Sequence, residues 1–326
     1  MTTLMAQIAS HMQSELLSAN DLTPMRRKIV IPGLINEYDM TGEPAGSRKI
    51  AKRNRLAEAT DKIENVSVGN GDDYTLGSPV VMTPTGKEQA VPVSMEALTK
   101  RMPGASHQAV MDAIASGRPE AIPFIRDILV ELTESHNRRD ERECAELFSG
   151  ITASAGVTNT AMSFATLLDA YMQILDGDPD SEDIVAVLPT VAIKALRSSL
   201  LTGTGTGLAT IWTDKGDIEF FNHQPDASRN GYAGSAMGIP LFRQSNELFV
   251  TANGGVDLVA AAFVYGSGPT AKGGQRGFAE KCFGSGVRTT VTYDADTDTA
   301  KAIMRVDTDH RIHTQEHASK LIVKAT

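Results

Sequence analysis

The stretch that most constrains this chain runs from Pro119 to Gly150, PEAIPFIRDILVELTESHNRRDERECAELFSG. In its first half Phe124, Ile125, Ile128, Leu129 and Leu132 recur at helical spacing, while its second half, from Glu134 to Glu146, is mostly charge. Pro123 suits the first turn of a helix, where its missing N–H costs nothing, and Gly150 stands where a C-terminal stop is expected. A helix over Pro123–Phe148 would be about 39 Å long at about 1.5 Å per residue, against a usual globular length of roughly 11–12 residues. The apolar half reads as buried. The charged half, with Asp140 and Cys144 among Arg139, Arg142 and Glu143, reads as a solvated end. The sharper expectation is a spine that outruns its own domain and lies across something else.

The rest of the chain bounds what such a spine can belong to. With 326 residues, 41% of them hydrophobic, the chain can bury a sizeable core and form two domains. Aromatics are only 5%, which argues against base-stacking nucleic-acid modules, and the net charge of −9 argues against a dedicated DNA-binding protein. The charge is uneven: residues 1–60 hold eight basic and six acidic residues, the remainder 23 basic against 34 acidic. Two cysteines, Cys144 and Cys282, make no disulfide framework and fit a reducing compartment. The N-terminus lacks the basic and apolar regions of a signal peptide, and no apolar run approaches transmembrane length.

In chain order, Leu4, Ile8, Met12 and Leu16 predict an amphipathic helix over Thr3–Ser18. A stretch of poor periodicity follows, broken by Pro24, Pro32, Gly33, Gly42, Pro44 and Gly46, with basic clusters at Arg26–Lys28 and at Arg48, Lys49, Lys52, Arg53 and Arg55. A segment this long without its own structure makes sense as an arm held by other chains. Residues 74–93 read as a hairpin: Pro79–Thr83 and Glu88–Val93 are its strands, Pro84–Lys87 its turn, and Pro92 confines the second strand to an edge. Short helices are predicted over Met95–Arg101, capped by Ser94, and over 107–116, capped by Ser106. Beyond the spine, the pattern predicts a helix ending at Gly177, a buried strand Ile184–Leu188 and a helix Val191–Leu201. Strands are expected at Asp217–Phe221, Ile239–Arg243, Leu248–Thr251 and Val259–Tyr265, and a glycine-rich loop at Gly266–Gly286. The tail alternates as strands Val287–Tyr293, Ala300–Val306 and Lys320–Lys324, with a turn at Asp294–Asp298.

No constellation of residues carries chemistry. Gly203-Thr204-Gly205-Thr206-Gly207 has Leu208 where a dinucleotide fingerprint needs its third glycine, and Gly266–Gly274, despite Lys272, lacks the sequence of a P-loop. Asp294, Asp296 and Asp298 open like a calcium loop, but Thr299 and Arg305 stand at its glycine and acidic positions. His310, His313 and His317 would suit zinc on a helix; on an extended segment the first two point to opposite faces. Ser235 has Met237 where a nucleophile elbow needs glycine, and nothing marks Cys144 as activated. No catalytic, cofactor-binding or metal-binding residue is assigned, and no cofactor is expected.

The order of these parts resembles the major capsid proteins of tailed double-stranded DNA bacteriophages, the Hong Kong 97-type shell fold, which encapsulins share. Val93-Ser94-Met95-Glu96-Ala97-Leu98 is similar to the segment leading towards that family's spine helix. ERECAELFSG, from Glu141 to Gly150, resembles the helix's ending, Ile184–Leu188 with Pro189 its strand–proline–helix, and GYAGSAMGIPL, Gly231 to Leu241, a strand of its axial domain. The resemblance implies an α+β fold: an N-terminal arm at 1–60, an extended hairpin loop at 61–93, a peripheral domain with the long spine helix at 94–160, an axial domain at 161–286 and strands returning to the peripheral domain at 287–326. It implies a structural, non-enzymatic coat protein that self-assembles into hexamers and pentamers of an icosahedral virion head around packaged double-stranded DNA. Assembly is expected in the host bacterial cytoplasm, with a separate scaffolding protein, a portal, decoration proteins in some heads, and no membrane partner. The alternatives are an encapsulin-like nanocompartment shell and, from Gly203–Gly207 alone, a nucleotide-dependent cytoplasmic α/β enzyme. Some members of the family crosslink lysine to asparagine; Lys87 lies near the expected hairpin tip, but no motif fixes a partner for it.

Overall fold

The long helix forms, and it runs through its charged half without a break. The computed structural model describes residues 30–40, 46–53, 76–96, 99, 106–116, 123–177, 183–201, 231–236, 238–265 and 277–326. In chain order its elements are β1 (Asn36–Asp39), β2 (Arg48–Arg53), β3 (Leu76–Met82), β4 (Thr85–Ser94), α1 (His107–Ala115), α2 (Pro123–Leu147), β5 (Ser154–Ala155), α3 (Phe164–Gly177), β6 (Ile184–Pro189) and α4 (Thr190–Leu201). They continue as β7 (Tyr232–Ala236), β8 (Ile239–Gln244), β9 (Val250–Ala252), β10 (Asp257–Val264), β11 (Ala279–Asp294), β12 (Thr299–Ile312) and β13 (Ala318–Lys324). Among the described residues no helix is long and apolar enough to cross a membrane. The helix at 3–18, the cluster Arg26–Lys28, the strand at Asp217–Phe221, the loop Gly203–Gly207 and Lys272 lie outside the described residues.

The chain divides into two compact units, whose described parts fall in Gly86–Arg139 with Ser285–Asp307, and in Ile29–Thr85 with Asp140–Gly284 and Thr308–Thr326. These limits differ from those of the five-part sequence division, because α2, β11 and β12 each contribute residues to both units.

In the first unit the apolar half of α2 does what its spacing predicts. Ile125 is buried with Val93, Met95, Val110 and Ala300, and Leu132 with Ala302, Met304 and Val306. The β12 residues alternate strictly, with Ala300, Ala302, Met304 and Val306 turned inward. Ser106 caps α1 as expected, its hydroxyl accepting from the Ala109 amide at 3.1 Å.

The second unit is built on a seven-stranded sheet of order β5-β13-β10-β6-β8-β7, with β9 also paired to β10. Strands β6 and β10, IVAVLP and DLVAAAFV, are buried at every position, as strands covered on both faces must be. A second core feature is a trio of rings just past the end of α2: Phe263 and Phe278 are 4.5 Å apart at their centroids, and Phe148 lies 5.8 and 6.3 Å from them. Gly156 has φ +96°, and a Cβ there would stand 2.6 Å from the carbonyl oxygen of Ile322 in β13, so only glycine fits.

Three expectations need correction. The hairpin at 74–93 is not one: β3 pairs antiparallel with β2, in the register Arg48↔Met82, Lys49↔Val81, Ile50↔Val80, Lys52↔Gly77 and Arg53↔Leu76. Strand β4 instead lies at the end of the sheet β1-β11-β12-β4. The reason is burial. Ile50 and Met82 close over Met40 and Cys282, a core that a local turn at Pro84–Lys87 would not make. Pro92 does lie on an edge strand, as its missing donor requires. Second, the glycine-rich segment is strand from Ala279 onward, because Ala279, Cys282 and their neighbours are buried. Third, the charged half of α2 is not simply solvated: Glu141, Cys144 and Ala145 are buried.

Candidate functional site

Two places concentrate polar and charged groups with unusual surroundings, and both follow from how β1, β11, β12 and α2 run in the second unit. The inward row of β12 turns polar beyond Val306, with Thr308 and then His310 buried. The last turns of α2 turn charged over the same range of contacts. His310 Nε2 is 2.8 Å from Asp140 Oδ1, and its Nδ1 is 3.4 Å from a Glu143 carboxylate oxygen. Lys281 of β11, itself buried, donates to Asp140 Oδ2 at 2.5 Å, stands 3.8 Å from Glu37 of β1, and lies 4.2 Å over the Phe283 ring.

Burial alone would raise the Asp140 carboxyl, but the hydrogen bond from His310 and the charge of Lys281 outweigh it and hold the group below its ordinary range. Burial wins at Glu141, whose carboxyl is raised although it accepts from the backbone N–H groups of Val30 and Ile31. The fully buried Cys144 thiol is pushed well above its usual range by desolvation, and Cys282 is pushed up to about 11 for the same reason. Both cysteines are therefore protonated and poor nucleophiles at neutral pH.

Asp140, Cys144 and His310 bring donor atoms within 4.8 Å of one another. These are metal-ligand types, yet the place of a cation beside Asp140 is filled by the Lys281 ammonium. The arrangement suits a buried charge network that fixes helix to strands. The structure does not bring the three sequence histidines together. His313 pairs its Nδ1 with the Thr314 hydroxyl at 2.8 Å, and His317 ends a 3-10 turn over Gln315–His317. Asp294, Asp296 and Asp298 form the expected turn: Asp294 accepts from the Asp296 amide and pairs with Lys301, and Asp298 accepts from the Tyr293 hydroxyl. Ser235 lies within β7. Sequence reasoning passed over Asp140, Lys281 and Glu141 as functional groups of the fold; charged residues within strand and helix patterns were the only signal for them.

The second place is the foot of the β2–β3 ribbon. Arg48 opens β2 and pairs with Glu280 of β11 at 2.5 Å, the two side chains only 18% and 4% exposed. Its guanidinium carbon lies 3.3 Å from the centroid of the Tyr38 ring. Thr83, just past β3, donates its amide to Asp309 at 2.8 Å. The ribbon is thus anchored at one end by an ion pair, a cation–π contact and the Ile50–Met82 core. Val81 is 44% exposed on it, and Lys49, Lys52 and Arg53 belong to β2.

No family model and no curated protein matches the chain. Among solved structures it is similar to the capsid of Ralstonia phage GP4, at 11% identity over 95% of this chain and 94% of that one, with a TM-score of 0.60. It is similar to a chain of Mycobacterium phage Che8, at 14% identity over 94% of this chain and 96% of that one, TM-score 0.57. It is also similar to the SrpI encapsulin of Synechococcus elongatus, at 14% identity over 98% and 96% of the two chains, TM-score 0.53. The chain has the α+β Hong Kong 97-type shell fold that these proteins share.

Proposed function

We propose that this chain is a major capsid protein of a tailed double-stranded DNA phage, a structural subunit that assembles with copies of itself into a closed shell. The observation that carries the reading is the reciprocal extent of the likeness: it covers at least 94% of this chain and of the phage chains from GP4 and Che8. The whole fold is common, not one domain of it. Its role is structural. The cluster around Asp140 fits this, since its carboxylate is occupied by Lys281 and His310 and its cysteine is fully buried.

In the finer reading the subunits form hexamers and pentamers, with the residues ahead of β2 as an arm and the β2–β3 ribbon as the extended loop in place of the hairpin at 74–93. The units holding α1 and β10 correspond to the peripheral and axial domains. A scaffolding protein, a portal and packaged DNA are its partners, and assembly takes place in the bacterial cytoplasm. The ribbon supports the reading physically. A two-stranded ribbon is marginal in water and needs a surface to pack on, and an apolar side chain such as Val81 gains about 1.5–3 kcal/mol when covered.

The encapsulin reading is kept as the second, on the likeness to SrpI. One experiment addresses both. The protein is expressed in bacteria, alone and with a scaffolding protein, and sedimented. Fast shells are expected; only monomer or dimer in both cases would overturn the proposal. Shells that recruit an enzyme cargo from neighbouring genes would favour the second reading.

A further inference from the structure

The loops at the end of β10 and β13 hold a group that the shell reading does not use. Asp257, the first residue of β10, is completely buried. Its Oδ1 accepts from the Asn159 amide at 2.9 Å, and its Oδ2 accepts from the Asn253 side-chain amide at 2.6 Å. The same Asn253 nitrogen lies 3.2 Å from the Thr158 hydroxyl. One carboxylate therefore ties the turn at 157–160 to the turn at 253–256. Asn253 is itself exposed, sits at φ +50°, and is followed by Gly254 and Gly255.

An asparagine followed by glycine is chemically fragile. With no side chain on the next residue, the glycine amide nitrogen can reach the asparagine Cγ. We infer that Asn253–Gly254 is a latent deamidation site, and that Asp257 with Thr158 holds it closed. In the reaction the Gly254 nitrogen bonds to Asn253 Cγ, and the Cγ–Nδ2 bond breaks. The proton of the Gly254 amide leaves with Nδ2 as ammonia, giving a succinimide. Water then opens one of the two imide C–N bonds, leaving aspartate or isoaspartate at 253.

The observed geometry opposes the first step in two ways. Nδ2 donates to a carboxylate, which keeps it amide-like and a poor leaving group, and the side chain must break a charge-assisted hydrogen bond to turn toward Gly254. Once formed, either product replaces a donor to Asp257 with a second carboxylate, so the tie between the two turns is lost and like charges meet where a hydrogen bond stood. The site thus acts in one direction, as a modification that loosens this corner of the second unit.

The test uses the full-length protein and a synthetic peptide spanning residues 251–258, both held in mildly alkaline buffer and followed by peptide mapping with mass spectrometry. Asn253 in the protein is expected to convert about tenfold more slowly than in the peptide, or slower still. Asp257→Asn, checked for cooperative thermal unfolding, is expected to recover most of the peptide's rate. Should Asp257→Asn fail to fold, Thr158→Val, which removes one of the two contacts to Nδ2 and leaves Asp257 in place, is expected to give an intermediate rate. Conversion of wild-type Asn253 at the peptide's rate, or at an unchanged slow rate in a folded variant, would overturn the inference.

Discussion

Glu141 is a carboxylate with almost no access to water, and it accepts from two successive backbone amides at Val30 and Ile31. Its removal in Glu141→Ala is expected to leave both donors without this acceptor, at a cost of about 1–3 kcal/mol each. A lowered urea midpoint would bear this out. Two neighbours on one helix have opposite pH dependence. Asp140 is depressed in the fold, so its contribution to stability is present above the ordinary carboxylate value and is lost as pH falls through its lowered one. Glu141 is raised, so its contribution is present below the ordinary value and is lost as pH rises through its raised one. Urea midpoints measured across the acid range are expected to fall for the wild type as Asp140 protonates, and to be flatter there for Asp140→Asn. Identical profiles for the two would count against the network.

At the scale of elements the ribbon makes the clearest forecast. Arg48→Ala strips the nearly buried Glu280 of its cation, a change that costs about 3–5 kcal/mol when one partner of a buried pair is removed. It is expected to lower the melting temperature and to speed trypsin cleavage at Lys49 in unassembled protein. Val81→Asp, on an exposed position, is expected to spare folding and impair assembly; unchanged particle yield would return the ribbon to its own subunit. How legible these elements were follows from the range of the forces behind them. The spine helix, β6, α4 and the tail strands were readable because spacing and burial agree within a few residues. Strands β2 and β3 pair across the residues between Arg53 and Leu76, which no local pattern encodes, while Pro84–Lys87 gave a strong but misleading turn signal. The start of β11 was hidden by its glycines, which tertiary burial overrode. The charged half of α2 was misread because Leu132 and Glu141 lie nine positions apart, about two and a half turns at roughly 3.6 residues each. The buried positions of the last turns therefore do not continue the stripe of the first.

At the scale of the whole molecule, the shell fold was legible only through the order of parts, since no single motif carries it, and the cluster of Asp140, Lys281 and His310 joins residues 141 and 170 positions apart. The fold now rests on likenesses that run the length of the chain at 11–14% identity. The central claim is that this fold closes into a shell, and electron microscopy of the purified full-length protein, expressed alone and with a scaffolding protein, addresses it most directly. The account predicts closed particles of icosahedral symmetry whose surface repeats as rings of six and five. Fields of monomers or dimers under both conditions would contradict it.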